Sequence, residues 1–240
     1  MSTYVYAIAR ASQDLPDTLD GVGEPAQPVR TVRSGPLLAL VSDAPAELRP
    51  KRRDLLAHQR VVIQAGASGP VLPLRFGGVS PDDDTVAAVL DQRRSEYLEC
   101  LESLEGKDEF NVKASHEQEA VLYAVLSADP ALRERHEANR SGADGGTHAA
   151  RLAFGEQVAR AVAEREKADA ALIEAALTPY AAALRHGPES GGWLANLSFL
   201  VERDRRQQFL DAVRALHEQH EHLQVQVTGP LPAYSFAEAD

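Results

Sequence analysis

Gly229-Pro230-Leu231-Pro232-Ala233-Tyr234-Ser235-Phe236 restates an earlier segment of the same chain, Gly69-Pro70-Val71-Leu72-Pro73-Leu74-Arg75-Phe76-Gly77. Upstream of each lies a strand-like run, Leu37 to Val41 in one case and Trp193 to Val201 in the other, followed by a charged helix start. The spacing agrees too: 29 residues separate Val41 from Pro70, and 29 separate Val201 from Pro230. A strand, a crossover helix and a strand closed by proline, met twice, is the pattern of two related halves.

The rest of the first half fits around that unit. Tyr4 to Ile8 is aromatic and β-branched, the composition of a strand, whereas Pro16, Gly21, Gly23 and Pro25 break Asp14 to Pro28 into a loop. Val29 to Arg33 predicts a hairpin with Leu37 to Val41 across Ser34-Gly35, and the unbroken apolar run of the latter predicts a strand covered on both faces. Lys51 to Ala65 predicts a helix with Leu55, Leu56, Val62 and Ile63 as its apolar stripe and Gly66 as its stop. Ser80-Pro81-Asp82-Asp83-Asp84 reads as a helix start capped by Ser80. One long helix is expected from about 82 to 105, with Val86, Leu90, Tyr97, Leu101 and Leu104 on one face. Gly106-Lys107-Asp108 ends it, which divides the chain into domains 1–106 and 107–240.

In the second half Phe110 to Ala114 predicts the opening strand, Ser115 and Gln118 a capping box, and Asp129-Pro130 a new helix start. Beyond Gly142, Gly145 and Gly146, Ala149 to Arg185 is Ala-rich and helical, with a seam of Ile173, Leu177, Tyr180 and Leu184. An antiparallel helical hairpin across the Gly-rich turn follows, kinked or broken at Pro179. Asp204 with Gln207 reads as the cap of a helix facing inward through Phe209, Val213 and Leu216, and Leu223 to Val227 alternates as a half-buried strand. The expected fold class is α+β in two domains. An N-terminal ferredoxin-like antiparallel sheet carries helices on one face, and a related C-terminal domain has a long helical insertion where the first has a loop.

With 25 Lys and Arg against 36 Asp and Glu, the formal net charge is -11, which argues against a nucleic-acid or anionic-membrane partner. Apolar runs are interrupted well short of the ~20 residues that cross a bilayer. The single cysteine, Cys100, allows no internal disulfide, and Met1 to Ile8 carries no basic leader, so a cytoplasmic protein is expected.

The search for chemistry nominates no catalytic residue, no cofactor and no metal. His217, His220 and His222 with Glu218 and Glu221 form the densest histidine group; His217 and His220, three residues apart on one helix face, offer a pair of divalent-metal ligands, but a charged, exposed helix end accounts for the same residues without a ligand set. His58, His116, His136, His148 and His186 are scattered, and Cys100 has acidic neighbours that would raise its pKa. Gly142 to Thr147 lacks the lysine of a phosphate loop, Asp82 to Asp84 suit a helix N-terminus, and Lys51-Arg52-Arg53 reads as a solvated helix edge.

Four motifs together resemble the gas vesicle accessory proteins of the GvpF/GvpL family over essentially the whole chain. They are Tyr4 to Ile8, Val71 to Gly77, Asn196 to Asp204 and Gly229 to Phe236, the last similar to a Gly-Pro-Trp-Pro-Pro-Tyr-Ser-Phe ending in which Leu231 and Ala233 replace Trp and the second Pro. The resemblance implies a non-enzymatic accessory or minor structural protein required for gas vesicle formation, cytoplasmic and vesicle-associated. Its implied partners are the apolar shell subunit and other gas vesicle accessory proteins; an unpaired apolar surface needs cover before assembly, and a sheet edge or the groove between the halves is where this chain is expected to hold it. The residues it marks are structural: Tyr6, Pro73, Arg75 and Phe76 in the first half, then Asn196, Phe199, Pro230, Pro232, Tyr234 and Phe236. The competing class is a ferredoxin-like tandem oxidoreductase acting through haem or a small molecule, for which His116, His186 or His217 would supply an axial ligand. A third class is a scaffold that recruits partners through Ala149 to Arg185.

Overall fold

The computed structural model describes residues 2–141, 148–188 and 192–237. The chain packs as two units: Met1–Phe110 with Leu200–Arg203 and Gly229–Asp240, and Asn111–Phe199 with Asp204–Thr228.

The first unit runs β1 (Thr3–Arg10), β2 (Arg30–Ser34), β3 (Leu37–Asp43), α1 (Arg52–Ala65), β4 (Val71–Pro73), β5 (Val79–Ser80), α2 (Asp83–Gln92) and α3 (Arg94–Ser103). Its antiparallel sheet is ordered β2-β3-β1-β4, with β5 also on β1. This second-third-first-fourth order is ferredoxin-like, but residues 11–29 replace the first crossover helix with a loop that buries Leu19 and Val22. The β2–β3 hairpin turns at Gly35, whose φ of +55° favours glycine. A bulge between Val5 and Ala7 shifts the register of β1. It lets Tyr4, Tyr6, Ala7 and Ala9 all join the core formed with Leu38, Leu40, Val61 and Val62.

Three details differ from the sequence expectation. Helices cover both faces of this sheet: α1 packs on the Tyr4, Tyr6 and Leu40 side, while α2 and α3 meet Val5, Ile8 and Ala39 on the other. That is why β1 and β3 are buried almost throughout. The expected helix of about 82–105 is two helices divided at Arg93, because α2 packs on β2 and β3 whereas α3 packs on β1 and β4. A straight rod cannot follow both pairs of a twisted sheet, and the polar run Gln92-Arg93-Arg94 offers nothing apolar to hold the axis. Asp82 is the N-cap in place of Ser80, accepting from the Thr85 N–H at 2.7 Å.

The second sheet, ordered β7-β8-β6-β9, repeats the same frame. Its elements are β6 (Lys107–His116), α4 (Gln118–Ala128), α5 (Pro130–Ser141), α6 (His148–Leu177), β7 (Ala183–His186), β8 (Ala195–Glu202), α7 (Arg206–Gln219) and β9 (Leu223–Leu231). Here the first crossover holds three helices with a small core of their own, Val121, Val125, Leu126 and Leu132 against Phe154 and Val158. The expected Gly-rich hairpin turn at 142–147 lies outside the described residues, while α5 and α6 on either side of it pack together.

Asp129 starts α5 as expected, its Oδ1 accepting from Ala131 and Leu132 N–H groups. The long helix stops earlier than expected. Leu177 ends α6, Thr178–Tyr180 forms a 3-10 turn around Pro179, and Ala183–His186 is a strand, so Tyr180 and Leu184 leave the seam. Glu117, and not Ser115, caps α4, because β6 keeps Ser115 and His116 in the sheet. Arg205 precedes α7 without a side-chain cap, and Gln207 donates to Asp211 in place of pairing with Asp204.

Candidate functional site

In the first unit the two echoing segments converge. Proline cannot donate to a sheet ladder, so a strand ending in proline belongs at an edge, and β4 stands at the edge beside β1 with Pro73 opposite Ala7. The Leu74 N–H then bonds to Tyr6 O at 2.9 Å, and the chain turns at Gly77, where φ is +100°. A buried chain of hydrogen bonds closes this turn. Gly77 N–H donates to the Tyr4 hydroxyl at 3.2 Å, and Tyr4 O–H donates to His58 Nδ1 at 2.9 Å. His58 Nε2–H donates to Leu74 O at 2.9 Å, which fixes the tautomer.

Burial pushes the His58 imidazole below its ordinary pKa and the Tyr4 and Tyr6 hydroxyls above theirs, so the network is neutral around pH 7. Phe76 packs edgewise at 5.9 Å from the His58 ring, and the Tyr6 hydroxyl meets Ser42 Oγ at 2.9 Å and the Val22 N–H at 2.8 Å.

The C-terminal copy seats beside it. Tyr234 packs half-buried on the same core, and burial raises its pKa. Phe236 is buried, and Ser235 places its N–H and O–H on the buried Glu109 carboxylate at 2.9 and 2.6 Å. Gly229 lies so close to Phe110 that a side chain there would overlap the ring. One cavity of about 200 Å³ has Gly69, Pro70 and Val71 on one wall and Pro230, Leu231 and Pro232 on another. A second, about 540 Å³, is walled by Pro73, Arg75, Phe76 and Tyr234.

Eight of the sequence-marked residues therefore lie in one unit: Tyr6, Pro73, Arg75, Phe76, Pro230, Pro232, Tyr234 and Phe236. Asn196 and Phe199 lie in the other, on β8. There the Asn196 side chain accepts from Asn111 and donates to Pro188 O, and Phe199 packs against Phe209 at 5.3 Å.

The outer face of α1 corrects the expected stripe. Val62 is buried, but Leu55, Leu56 and Ile63 are 41, 49 and 50 % exposed. The small residues Ala57 and Ala65, with His58, Val61 and Val62, face the sheet instead. Arg52, Arg53 and Arg60 are exposed on the same helix, as is Lys51 just before it, and Ile63 lines the 200 Å³ cavity. Leu55, Leu56 and Ile63 thus stand on the side of α1 that the sheet does not cover.

In the second unit the structure gathers residues that no local motif connects. Asp169 on α6, His116 at the end of β6 and His222 just before β9 form the one group of three or more potential metal ligands among the described residues. Their sequence separations of 53 residues on either side exceed any ligand motif, and only the topology brings them together. Burial alone would raise the Asp169 pKa, but hydrogen bonds from Arg165 and His116 outweigh it and hold the carboxyl below its usual range. Burial also lowers His222. Of the histidines offered as axial ligands, His116 alone joins this cluster: His217 Nδ1 meets Leu223 O at 3.2 Å, and the exposed His186 pairs with Glu174.

The frame and its two proline-bounded closing segments define the class first: a tandem ferredoxin-like protein whose C-terminal tail completes its N-terminal unit. Residues 2–238 match the family model described as gas vesicle synthesis protein GvpL/GvpF. Gas vesicle protein F of Streptomyces sp. (strain CB03234) is 59% identical over 239 residues, covering 99% of this chain and 100% of that protein. Gas vesicle protein L of the same strain is 31% identical over 252 residues, covering 98% of this chain and 92% of that one. The crystal structure of GvpF from Anabaena sp. PCC7120 shares the fold with a TM-score of 0.80 at 23% identity, covering 100% of this chain and 99% of that one. GvpF from Microcystis aeruginosa does so at 0.74 and 22%, covering 99% of each chain. The chain belongs to the GvpL/GvpF family of gas vesicle synthesis proteins, which gives it a role in gas vesicle formation. Among the described residues no helix is long and apolar enough to cross a membrane.

Proposed function

We propose that this protein serves gas vesicle formation without catalysis, by covering the apolar surface of the shell subunit in the cytoplasm and handing it, with other accessory proteins, to the growing shell. A wall that excludes liquid water needs an apolar inner surface, and before assembly that surface drives aggregation. The observation that carries this reading is the exposed trio Leu55, Leu56 and Ile63 on α1, continuous through Ile63 with the cavity walled by the two proline-bounded segments. An apolar strip next to a rigid, proline-lined recess suits a hydrophobic helix or strand, and the net charge of -11 would keep the complex dispersed.

The test mixes purified protein with freshly diluted shell subunit and follows light scattering and co-sedimentation. Wild type is expected to suppress aggregation at stoichiometric amounts. A Leu55→Asp, Leu56→Asp, Ile63→Asp variant, altered only at exposed positions, is expected to lose that effect while keeping its melting temperature. A variant as effective as wild type would remove α1 from the binding surface. A wild type that neither binds shell subunit nor changes its aggregation would remove the carrier role altogether.

A further inference from the structure

The polar cluster in the second unit is over-supplied with donors. Asp169, 1% exposed, offers a single oxygen, Oδ2, to three groups: His116 Nε2 at 2.9 Å, His222 Nε2 at 2.9 Å and Arg165 Nε at 2.8 Å. His222 Nε2 also lies 2.9 Å from Arg165 Nη2. One imidazole nitrogen cannot both donate to the carboxylate and accept from the guanidinium, so either tautomer leaves one contact unmet. His116 adds a buried Nδ1 that has no hydrogen-bond partner. The set offers two imidazole nitrogens and a carboxylate oxygen converging from β6, α6 and the turn before β9, with the Arg165 guanidinium against Asp169 and His222.

We propose that His116 Nε2, Asp169 Oδ2 and His222 Nε2 form a binding site for a divalent transition-metal ion of the zinc type, and that Arg165 is the side chain this ion displaces. A cation at the centre takes all three lone pairs at once and removes the conflict at His222. Bonds of about 2.1 Å place neighbouring ligands about 3.0 to 3.4 Å apart in octahedral or tetrahedral shells; each histidine nitrogen lies 2.9 Å from Asp169 Oδ2, and all three ligand atoms lie within 4.8 Å of one another. Two imidazoles select against calcium and magnesium, which prefer oxygen shells. Arg165 can leave because its side chain is 35% exposed, whereas that of Asp169 is 2% exposed. Its departure opens a position for water. The bound ion ties α6, from the helical insertion, to the β6 and β9 ends of the sheet, fixing the insertion on its own unit.

The experiment uses the full-length protein stripped with a chelator. Cobalt(II) is titrated as the absorbing probe, and Zn2+ affinity is read by competition with a chromogenic chelator. Wild type is expected to bind one equivalent and to melt higher with Zn2+. The His116→Ala, His222→Ala double variant is expected to lose that site, and His217→Ala, His220→Ala to keep it. Arg165→Ala, which alters a partly exposed non-ligand, is expected to bind about tenfold more tightly, the equivalent of one modest charge pair no longer in competition. If the double variant does not fold, Arg165→Ala decides: tighter binding supports the site, unchanged or weaker binding overturns it. Absence of saturable one-to-one binding in wild type, or its persistence in a folded double variant, also overturns it.

Discussion

Phe236→Ala tests whether the tail is an integral part of the first unit. Phe236 is 7% exposed, and its own backbone is held by the Ala233 carbonyl, which accepts its N–H at 3.1 Å. Truncating a buried phenylalanine costs about 3 to 5 kcal/mol, part lost transfer energy and part cavity. The cost would be capped if the tail could peel away for less. Peeling, however, also exposes Ala233 and Tyr234 and breaks two hydrogen bonds from Ser235 to the Glu109 carboxylate, each worth about 1.5 to 3 kcal/mol. The tail should therefore stay docked over a cavity, and the lower end of the range, about 3 kcal/mol, is the expected loss. For a chain of this length that corresponds to a fall of about 6 to 12 °C in Tm, read by scanning calorimetry. Leu152→Ala, at a residue 58% exposed on α6, serves as the control and should shift stability by less than about 0.5 kcal/mol. A Phe236→Ala melt that coincides with wild type would refute the docking of the tail.

Three further outcomes follow from the same geometry. Ser235→Ala should lower the urea midpoint by the equivalent of about 1.5 to 3 kcal/mol without changing m, and its effect should not add to that of Glu109→Gln; strict additivity in the cycle would deny the contact. Gly229→Ala should destabilise by about 1 to 3 kcal/mol, because its Cβ would come within 2.9 Å of Phe110 Cε1 and 3.0 Å of Glu109 O, while Gly155→Ala, in α6 with nothing within 4 Å, should stabilise by about 0.5 to 1 kcal/mol; equal signs would contradict the packing. His58 is held below its ordinary pKa by burial, so the unfolded chain binds its proton more readily; stability should be full above about pH 6.5 and fall below it with a slope approaching about 1.4 kcal/mol per pH unit, and a His58→Gln variant that kept the whole slope would show that other groups cause it.

The parts of the fold legible in the sequence were those set by local constraint. The hairpin follows from a turn that needs Gly35, α5 from the Asp129-Pro130 start, and the closing edge strand of each sheet from proline. The outer face of α1 was misread because the largest apolar residues, Leu55, Leu56 and Ile63, dominate any periodicity, whereas the face that packs uses Ala57, Val61 and Ala65 against crowded tyrosines. Small residues sit inward there because Tyr4 and Tyr6 already fill the space. The break at Arg93 was invisible for the converse reason: it answers the twist of a sheet formed by other residues. The histidine cluster was hidden entirely, because His116, Asp169 and His222 meet only once β6, α6 and β9 have taken their places.

The two sheets share one strand order, β2-β3-β1-β4 and β7-β8-β6-β9, and this accounts for the echo between Gly69 to Gly77 and Gly229 to Phe236. Proline is excluded from inner strands, and the fourth strand of this frame lies at an edge in both sheets, so Pro73 and Pro230 fall on the positions where the ladder tolerates them. What the two halves do not share is the first crossover. In one it is a loop that lends Leu19 and Val22 to the sheet's own core and donates the Gly23 N–H to the buried Asp54 at 3.0 Å. In the other it is three helices that build a separate small core and leave Tyr123 76% exposed. The insertion is seated on its unit by apolar packing as well, since Ile173 and Leu177 of α6 are fully buried and the helix packs against α7. Asp169, one turn before Ile173, adds a buried polar contact to that seat through His116 at the end of β6 and His222 just before β9.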